Sequence, residues 1–193
     1  LKWAMSMDGR TALPNGASQW ISGTEARSLV HRIRAKSDAV IVGGGTVRTD
    51  NPLLTSRGLS SPEPLRVVFT KTGELPENAK LWETDQAQTL IAFGSEVAAL
   101  NSSKLPIGPE KLILEASEPL ELMKALAHKG CNRVLWECGP GLATAAIKQG
   151  CVQELVVVLA PKLLGGEVAR TPLGDMGFTS MDQVLSLVNG SMQ

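Results

Sequence analysis

Two glycine-rich turns, and the charged residues around them, hold most of the chemistry this chain could perform. DAVIVGGGTVRTDNPLLT, residues 38 to 55, reads as a buried strand (Ala39–Val42), three glycines, a short helical turn and a polar loop, Thr49-Asp50-Asn51, stopped by Pro52. Glycines at the carboxyl end of a strand let a backbone approach a ligand closely, and their N–H groups can face phosphate oxygens. A plain strand-to-helix turn has the same spelling. Arg48, Asp50, Asn51, Thr55 and Arg57 then crowd polar groups just beyond the glycines, where they gain little on a bare surface and are costly to bury unpaired. ECGPGLATAA, residues 137 to 146, is the second turn: a strand end, glycines, and a helix N-terminus whose free amides and dipole favour an anion. It departs from G-x-G-x-x-G because Thr144 takes the third glycine position.

Single side chains around these turns have more than one use. Glu137 at a strand end could bind substrate hydroxyls or amines, shuttle a proton, or serve as a salt-bridged structural acid. Arg34, near the end of its helix, either complements the dipole or binds a ligand. Arg57 lies in a loop with no such structural reason, which favours a phosphate or carboxylate partner. Trp20 sits in a long irregular stretch, residues 6 to 22, of the kind that forms lids; it could cover a flat cofactor ring or anchor a core. Asp8-Gly9 and Asn15-Gly16 supply turns within it.

The elements that must position these groups alternate between strand and helix, the pattern of a layered α/β domain with a mostly parallel central sheet flanked by helices. Lys2–Met5 predicts the first strand. Ser22-Gly23-Thr24-Glu25 has capping-box spacing and opens a helix to about Lys36 with Leu29, Val30 and Ile33 inward. Strands are expected at 39–42, 65–69, 90–93, 111–114, 133–137 and 154–159. A helix begins at Ser117 and Pro119, burying Leu122, Met123 and Leu126, and another runs from Gly139-Pro140-Gly141 to Gln149. Residues 58–64 form a surface loop, and 161–166 turn sharply. Past Thr171 the pattern weakens, with no apolar strand to close the sheet edge. Ligands of open α/β sheets lie beyond the carboxyl ends of strands. Three such ends carry unusual chemistry: the glycines 43–45, Thr70-Lys71, and Glu137 with the glycine turn after it.

Composition narrows the function. The 193 residues fit one domain with a substantial core. Nineteen basic and nineteen acidic residues cancel, which argues against a general nucleic-acid or anionic-membrane binder while leaving room for a local anion pocket. No apolar run has membrane-spanning length. Cys131, Cys138 and Cys151 have no zinc-type spacing, and with only His31 and His128 besides, no metal site is expected. Reduced, mostly buried thiols are expected instead.

MSMDGRTA (5–12), SQWIS (18–22), GTVRTDNPLLTSR (45–57), ECGPGLA (137–143) and APKLLGG (160–166) together resemble the reductase domain of riboflavin biosynthesis enzymes, in order and across nearly the whole chain. The resemblance implies a dihydrofolate-reductase-like fold, NADPH as hydride donor, and 5-amino-6-(5-phosphoribosylamino)uracil as substrate. Reduction at the ribosyl C1′ would follow opening of the aminoglycoside to an imine and yield the ribityl chain. It also implies a homodimer, a deaminase-like domain fused in the longer chain, and, as the wording of residues 136–150 is most like the plant branch, a plastid location, otherwise a cytoplasmic one. The abrupt start at Leu1 and the weak end fit a domain cut from something longer that lacks its last strand. Carried over by motif, Ser18, Arg34, Leu54, Arg57 and Glu137 would face the phosphoribosyl substrate. Trp20, Gly44, Thr46, Asp50, Thr70, Lys71, Gly139, Pro140, Gly141, Leu142 and Ala143 would face NADPH. Lys2, Asp50 and Glu137 are the implied catalytic groups. Thr70-Lys71 stands where relatives commonly carry Asp-Ser, which leaves the contact to the adenosine ribose open, although a lysine suits a 2′-phosphate.

Two rivals to the reductase are a non-catalytic relative used as an interaction domain and a pterin or folate reductase of the same fold. Loss of NADPH binding would select the first. A phosphate-free pterin has no need of both Arg34 and Arg57, which distinguishes the second.

Overall fold

The computed structural model describes residues 1–96 and 105–188. Its strands are β1 (Lys2–Ser6), β2 (Ala39–Gly43), β3 (Leu65–Phe69), β4 (Thr89–Gly94), β5 (Glu110–Leu114), β6 (Val134–Trp136) and β7 (Val156–Ala160). The helices are α1 (Thr24–Ala35), α2 (Gly44–Asp50), α3 (Pro119–His128) and α4 (Pro140–Lys148). Five strands form one sheet in the order β5-β4-β3-β2-β6, and β1 pairs with β7 in a second; every pairing is parallel. The expected α/β architecture, a mostly parallel sheet flanked by helices, is therefore the observed one.

β2 is apolar at every position because both of its faces are covered, as parallel sheets require. Its side chains alternate between two cores. Ala39 and Ile41 join Val67, Leu90 and Trp136 against Leu122 and Leu126 of α3 and Ala143 and Ala146 of α4. Val40 and Val42 join Val68, Ile91 and Phe93 against Val47 of α2, with Leu54 and Leu81. Buried Arg66 of β3 spends its guanidinium on the carbonyls of Leu53, Leu81, Glu83 and Ala87, tying loops to the sheet.

Local details depart from expectation. The capping box at residues 22–25 does not form: Gly23 is the N-cap of α1 and no side chain caps it. Arg27 reaches back instead, donating to the Ser22 carbonyl (2.9 Å) and the Thr24 hydroxyl (3.0 Å). Leu29 is 38% exposed and does not face inward, whereas Val30 is buried. Thr49 and Asp50 belong to α2, and the loop begins at Asn51, a left-handed C-cap. β6 is shorter than 133–137 and β7 starts at Val156. Beyond Thr171 only a 3₁₀ turn, Met181–Gln183, interrupts irregular chain up to residue 188; residues 189–193 lie outside the described residues.

Candidate active site

A cavity of about 980 Å³ opens at the carboxyl ends of β2 and β6, beside β1. Because β2 and β6 are neighbours, the turns that follow them lie side by side. A β-carbon placed on Gly139 would come 3.9 Å from Thr46 Oγ1, and one on Gly43 would come 3.5 Å from the Leu142 side chain. Pro140 opens α4 behind the N-cap Gly139, and no side chain caps that end. The first-turn amides of Gly141 and Leu142 have no intrahelical acceptor, and both residues line the cavity.

Glu137 stands one residue past β6, fixed there by its N–H donating to the Ile41 carbonyl (2.8 Å). Arg34 grips its carboxylate with both arms, Nε to Oε1 at 2.6 Å and Nη2 to Oε2 at 3.0 Å, and donates its third bond to the Thr55 carbonyl (3.0 Å). Burial acts to raise the Glu137 pKa. The bonds and charge of Arg34, then Lys2 and His31, outweigh it and hold the carboxyl below its usual range. Lys2 shares this corner; burial pushes its ammonium pKa down, Glu137 opposes, and Arg34 adds to the fall.

The loop after α2 carries three non-glycine residues in the left-handed region: Asn51 (φ 40°), Leu54 (φ 58°) and Arg57 (φ 61°). Such conformations persist only where the surroundings fix them. Leu54 is buried, its neighbour Leu53 is held by Arg66, and the Asn51 Oδ1 accepts from the Lys80 amide (2.9 Å). Glu63 accepts from the amides of Ser56 (2.5 Å) and Gly58 (2.8 Å), straddling Arg57. Arg57 itself lines the cavity and, among the described residues, has no hydrogen-bond or ion-pair partner.

Across the opening, Asp50 faces Ser18 and Arg170. Desolvation raises its pKa, against the pull of Arg170 and the Ser18 hydroxyl. Trp20 is 64% exposed, which removes the core-anchor reading; it lines the cavity with the Arg27 guanidinium 4.7 Å from its ring centre. The stretch 6–22 is tied down by a second strap, residues 161–170. Lys162 donates to the Trp20 carbonyl (2.7 Å), and the amides of Met7 and Thr11 donate to Lys162 and Arg170 carbonyls (each 2.8 Å). Asp8 accepts from the amides of Leu164 and Gly165; with the Ser6 hydroxyl as the largest cause, these bonds bring its pKa down to about 2.

Thirteen of the expected site residues thus share one cavity wall: Lys2, Ser18, Trp20, Arg34, Thr46, Asp50, Leu54, Arg57, Glu137, Gly139, Pro140, Gly141 and Leu142. Four do not. Gly44 is buried, and a β-carbon there would lie 3.3 Å from Leu75 and from Thr70 Oγ1, so the close approach it permits is to protein. Thr70 is buried and its hydroxyl accepts from the Gly73 amide (3.1 Å). Lys71 projects outward, 3.9 Å from Glu118. Ala143 belongs to the core beneath α4. Arg27, His31, Lys80 and Arg170 line the cavity without having been singled out. Arg27 and His31 share the inner side of α1 with Arg34, a helical spacing of three and four that could have flagged them. Lys80 and Arg170 arrive through tertiary contacts alone. Of the thiols, Cys138 lines the cavity, but burial pushes its pKa up to about 12, which makes it a poor nucleophile.

Residues 1–191 match the model of the RibD C-terminal domain family. The riboflavin biosynthesis protein RibD of Synechocystis is 43% identical over 97% of this chain, which covers 51% of that protein. The chloroplastic riboflavin biosynthesis protein PYRR of Arabidopsis thaliana is 38% identical over 98% of this chain and 32% of its own length. The solved structure of Acinetobacter baumannii RibD superimposes with a TM-score of 0.77 at 32% identity, covering 96% of this chain and 51% of that one. The chain thus spans about half the length of the RibD relatives it matches.

Proposed function

Since the chain belongs to the family of RibD C-terminal domains, we propose that it is the NADPH-dependent reductase of riboflavin biosynthesis acting on 5-amino-6-(5-phosphoribosylamino)uracil. One observation carries this reading: a single cavity joins an uncapped helix N-terminus, an arginine with no partner among the described residues, and a half-buried lysine beside an arginine-held carboxylate. At about 980 Å³ it is at the upper end of ordinary ligand pockets, as two ligands side by side require.

The residues present fit the cofactor. The amides of Gly141 and Leu142 suit a diphosphate, Thr46 and Asp50 stand beside them, and Trp20 offers an exposed face to a flat ring. When bound, NADPH supplies the hydride. The protein's own groups divide the rest. Arg57 takes the substrate's phosphate through its fork. Arg34, with its fork occupied, positions Glu137 rather than gripping phosphate. Glu137, kept ionised, accepts hydrogen bonds from substrate N–H or O–H groups; its proton-shuttling role gives way to binding. Lys2 and Asp50 are pushed toward neutrality from opposite sides, the signature of an acid and base pair. Lys2 donates the proton that the ring oxygen takes as the sugar opens. Asp50, as carboxylate, accepts the proton that the glycosidic nitrogen gives up on forming the imine and returns it when that carbon is reduced.

A phosphate-free pterin would leave Arg57 unpaired, which disfavours a pterin reductase. The non-catalytic alternative has no support in a cavity whose charged groups are all present. The greater length of the relatives supports a fused deaminase-like domain in the full protein, and the chloroplastic PYRR proteins of Arabidopsis and maize support a plastid stroma in a plant, with cytoplasm otherwise. No helix among the described residues is long and apolar enough to cross a membrane. Exposed Val157 and Leu159 on β7 support a homodimer, readable by light scattering. The decisive assay follows NADPH oxidation with the deaminated pyrimidine. Turnover that depends on the substrate's phosphate is expected, and its absence overturns the assignment.

A further inference from the structure

The substrate's phosphate, on the reading above, meets Arg57, yet a dianion is poorly matched by one guanidinium. Arg34 does not complete the match, because its three hydrogen bonds go to Glu137 and the Thr55 carbonyl. Lys2, at the same corner, is given to the reaction; a further cationic candidate is His31, one turn before Arg34 on α1 and lining the same cavity. Its Nδ1 is shut away from solvent and has no hydrogen-bond partner among the described residues, an unusual state for a buried polar atom.

We propose that His31 stands beside Arg57 as a second ligand of the substrate's phosphate and takes up a proton when that phosphate arrives. The groups facing the ring come from three elements: Arg34 on α1, Arg57 and the Thr55 carbonyl on the loop after α2, and Glu137 at the end of β6. In the free protein, desolvation and then the two guanidiniums lower the His31 pKa, while the Thr55 carbonyl and Glu137 oppose them. The ring is therefore largely neutral near pH 7 and sits in a positive field beside the Thr55 carbonyl. A phosphate dianion reverses the field. An imidazolium can donate from both nitrogens, to the Thr55 carbonyl and to a phosphate oxygen. Binding then carries a proton from solvent to His31, so affinity rises as pH falls toward neutrality, until the phosphate's own second protonation near pH ~6 cancels the gain.

The chain has only two histidines, His31 and the exposed His128 at the end of α3, so ring NMR isolates the answer. Protein labelled with ¹⁵N-histidine is titrated with ribose 5-phosphate at several pH values. The His31 ring should shift to its protonated form on saturation, with the His128 ring unmoved. Arg57→Ala should weaken the titration roughly tenfold or more, as expected for loss of a charge-assisted bond. His31→Gln should raise KM for the phosphorylated substrate by a similar factor and leave KM for NADPH unchanged. A His31 ring that ignores ribose 5-phosphate, or that answers only to NADP⁺, overturns the proposal. This inference rests on the functional reading, but the two fail separately. A ring response without turnover keeps the subsite and loses the reaction, whereas turnover without a ring response does the reverse.

Discussion

At the scale of single residues, the Arg34–Glu137 pair decides how the rest of the corner behaves. Both side chains are nearly buried, 13% and 11% exposed, so each depends on the other for the cost of leaving water. A buried pair adds little net stability over apolar packing, but removing one partner strands the other charge at a cost of roughly 3–5 kcal/mol. Arg34→Ala should therefore lower Tm by roughly 6–20 °C. Glu137→Gln should also lower it, because the amide oxygen still accepts from one arm of Arg34 while its NH2 faces the donor of the other and the guanidinium charge is left without its counter-ion. Calorimetry of the two single variants and of the double variant checks this; losses that simply add in the double variant would mean that the pair is not coupled. The neighbouring acid and base make a second prediction. If Lys2 works protonated and Asp50 works ionised, kcat/KM is bell-shaped in pH. Its acid limb lies above the ordinary aspartate value of 3.8, because the Asp50 pKa is raised. Its alkaline limb lies below the ordinary lysine value of 10.5, because that of Lys2 is lowered. Asp50→Asn should flatten the acid limb and leave the alkaline limb in place. An unchanged acid limb in that variant would assign it elsewhere.

At the scale of elements, the loop after α2 holds Arg57 through Glu63 rather than through Arg57's own contacts. Burial acts to raise the Glu63 pKa, but the amides of Gly58 and Ser56 and the Ser56 hydroxyl outweigh it and hold the carboxyl low. A depressed native pKa gives stability that is present above the unfolded value and lost as pH falls through the native one. The clamp therefore loosens only below pH 4.5, the ordinary glutamate value. Glu63→Ala should release the left-handed Arg57 and raise KM for the phosphorylated substrate roughly tenfold, the worth of a bond to a charged group. Little effect on KM for NADPH is expected. Steady-state kinetics with each ligand varied reads both numbers, and equal rises in the two would show a general collapse instead. This dependence was not legible in the sequence. Strands such as β2 and β4 announce themselves through apolar runs, and the turns at Gly43 and Gly139 through their position at strand ends. Residues 58–64 read only as a surface loop, because a carboxylate folding back onto two amides leaves no periodic trace. The same holds for Arg170, which reaches Asp50 through the strap 161–170. The capping-box spelling at 22–25 misled for a related reason: Arg27, bonding Ser22 and Thr24, is a local alternative that spacing rules do not rank. For Lys71 the strand-end position was legible, but not the direction of its exposed side chain, which lies 3.9 Å from Glu118.

On the scale of the whole molecule, zero net charge conceals an uneven distribution. The cavity wall holds Lys2, Arg27, Arg34, Arg57, Lys80 and Arg170 against only Asp50 and Glu137. Concave walls of low dielectric focus such a field, so anionic ligands are drawn to the cavity by a molecule that, from a distance, looks neutral. Neutrality overall means that salt changes little in the folding equilibrium, whereas the cavity's attraction must weaken as the Debye length shrinks from about 10 Å at 0.1 M to about 3 Å at 1 M. Raising sodium chloride over that range should increase KM for NADPH and for the phosphorylated substrate several-fold, with kcat and Tm nearly constant. Part of the field survives, because buried charges are screened less than exposed ones. Charge-neutralising variants separate the contributions. Lys80→Gln and Arg170→Gln, which the reading above gives no direct ligand contact, should each reduce the salt slope while leaving KM at high salt close to that of the parent. Arg57→Gln should raise KM at every salt concentration, because its contact is direct. A KM indifferent to salt in the parent protein would mean that the wall's charges are already neutralised within the fold, and the focusing account would fail with it.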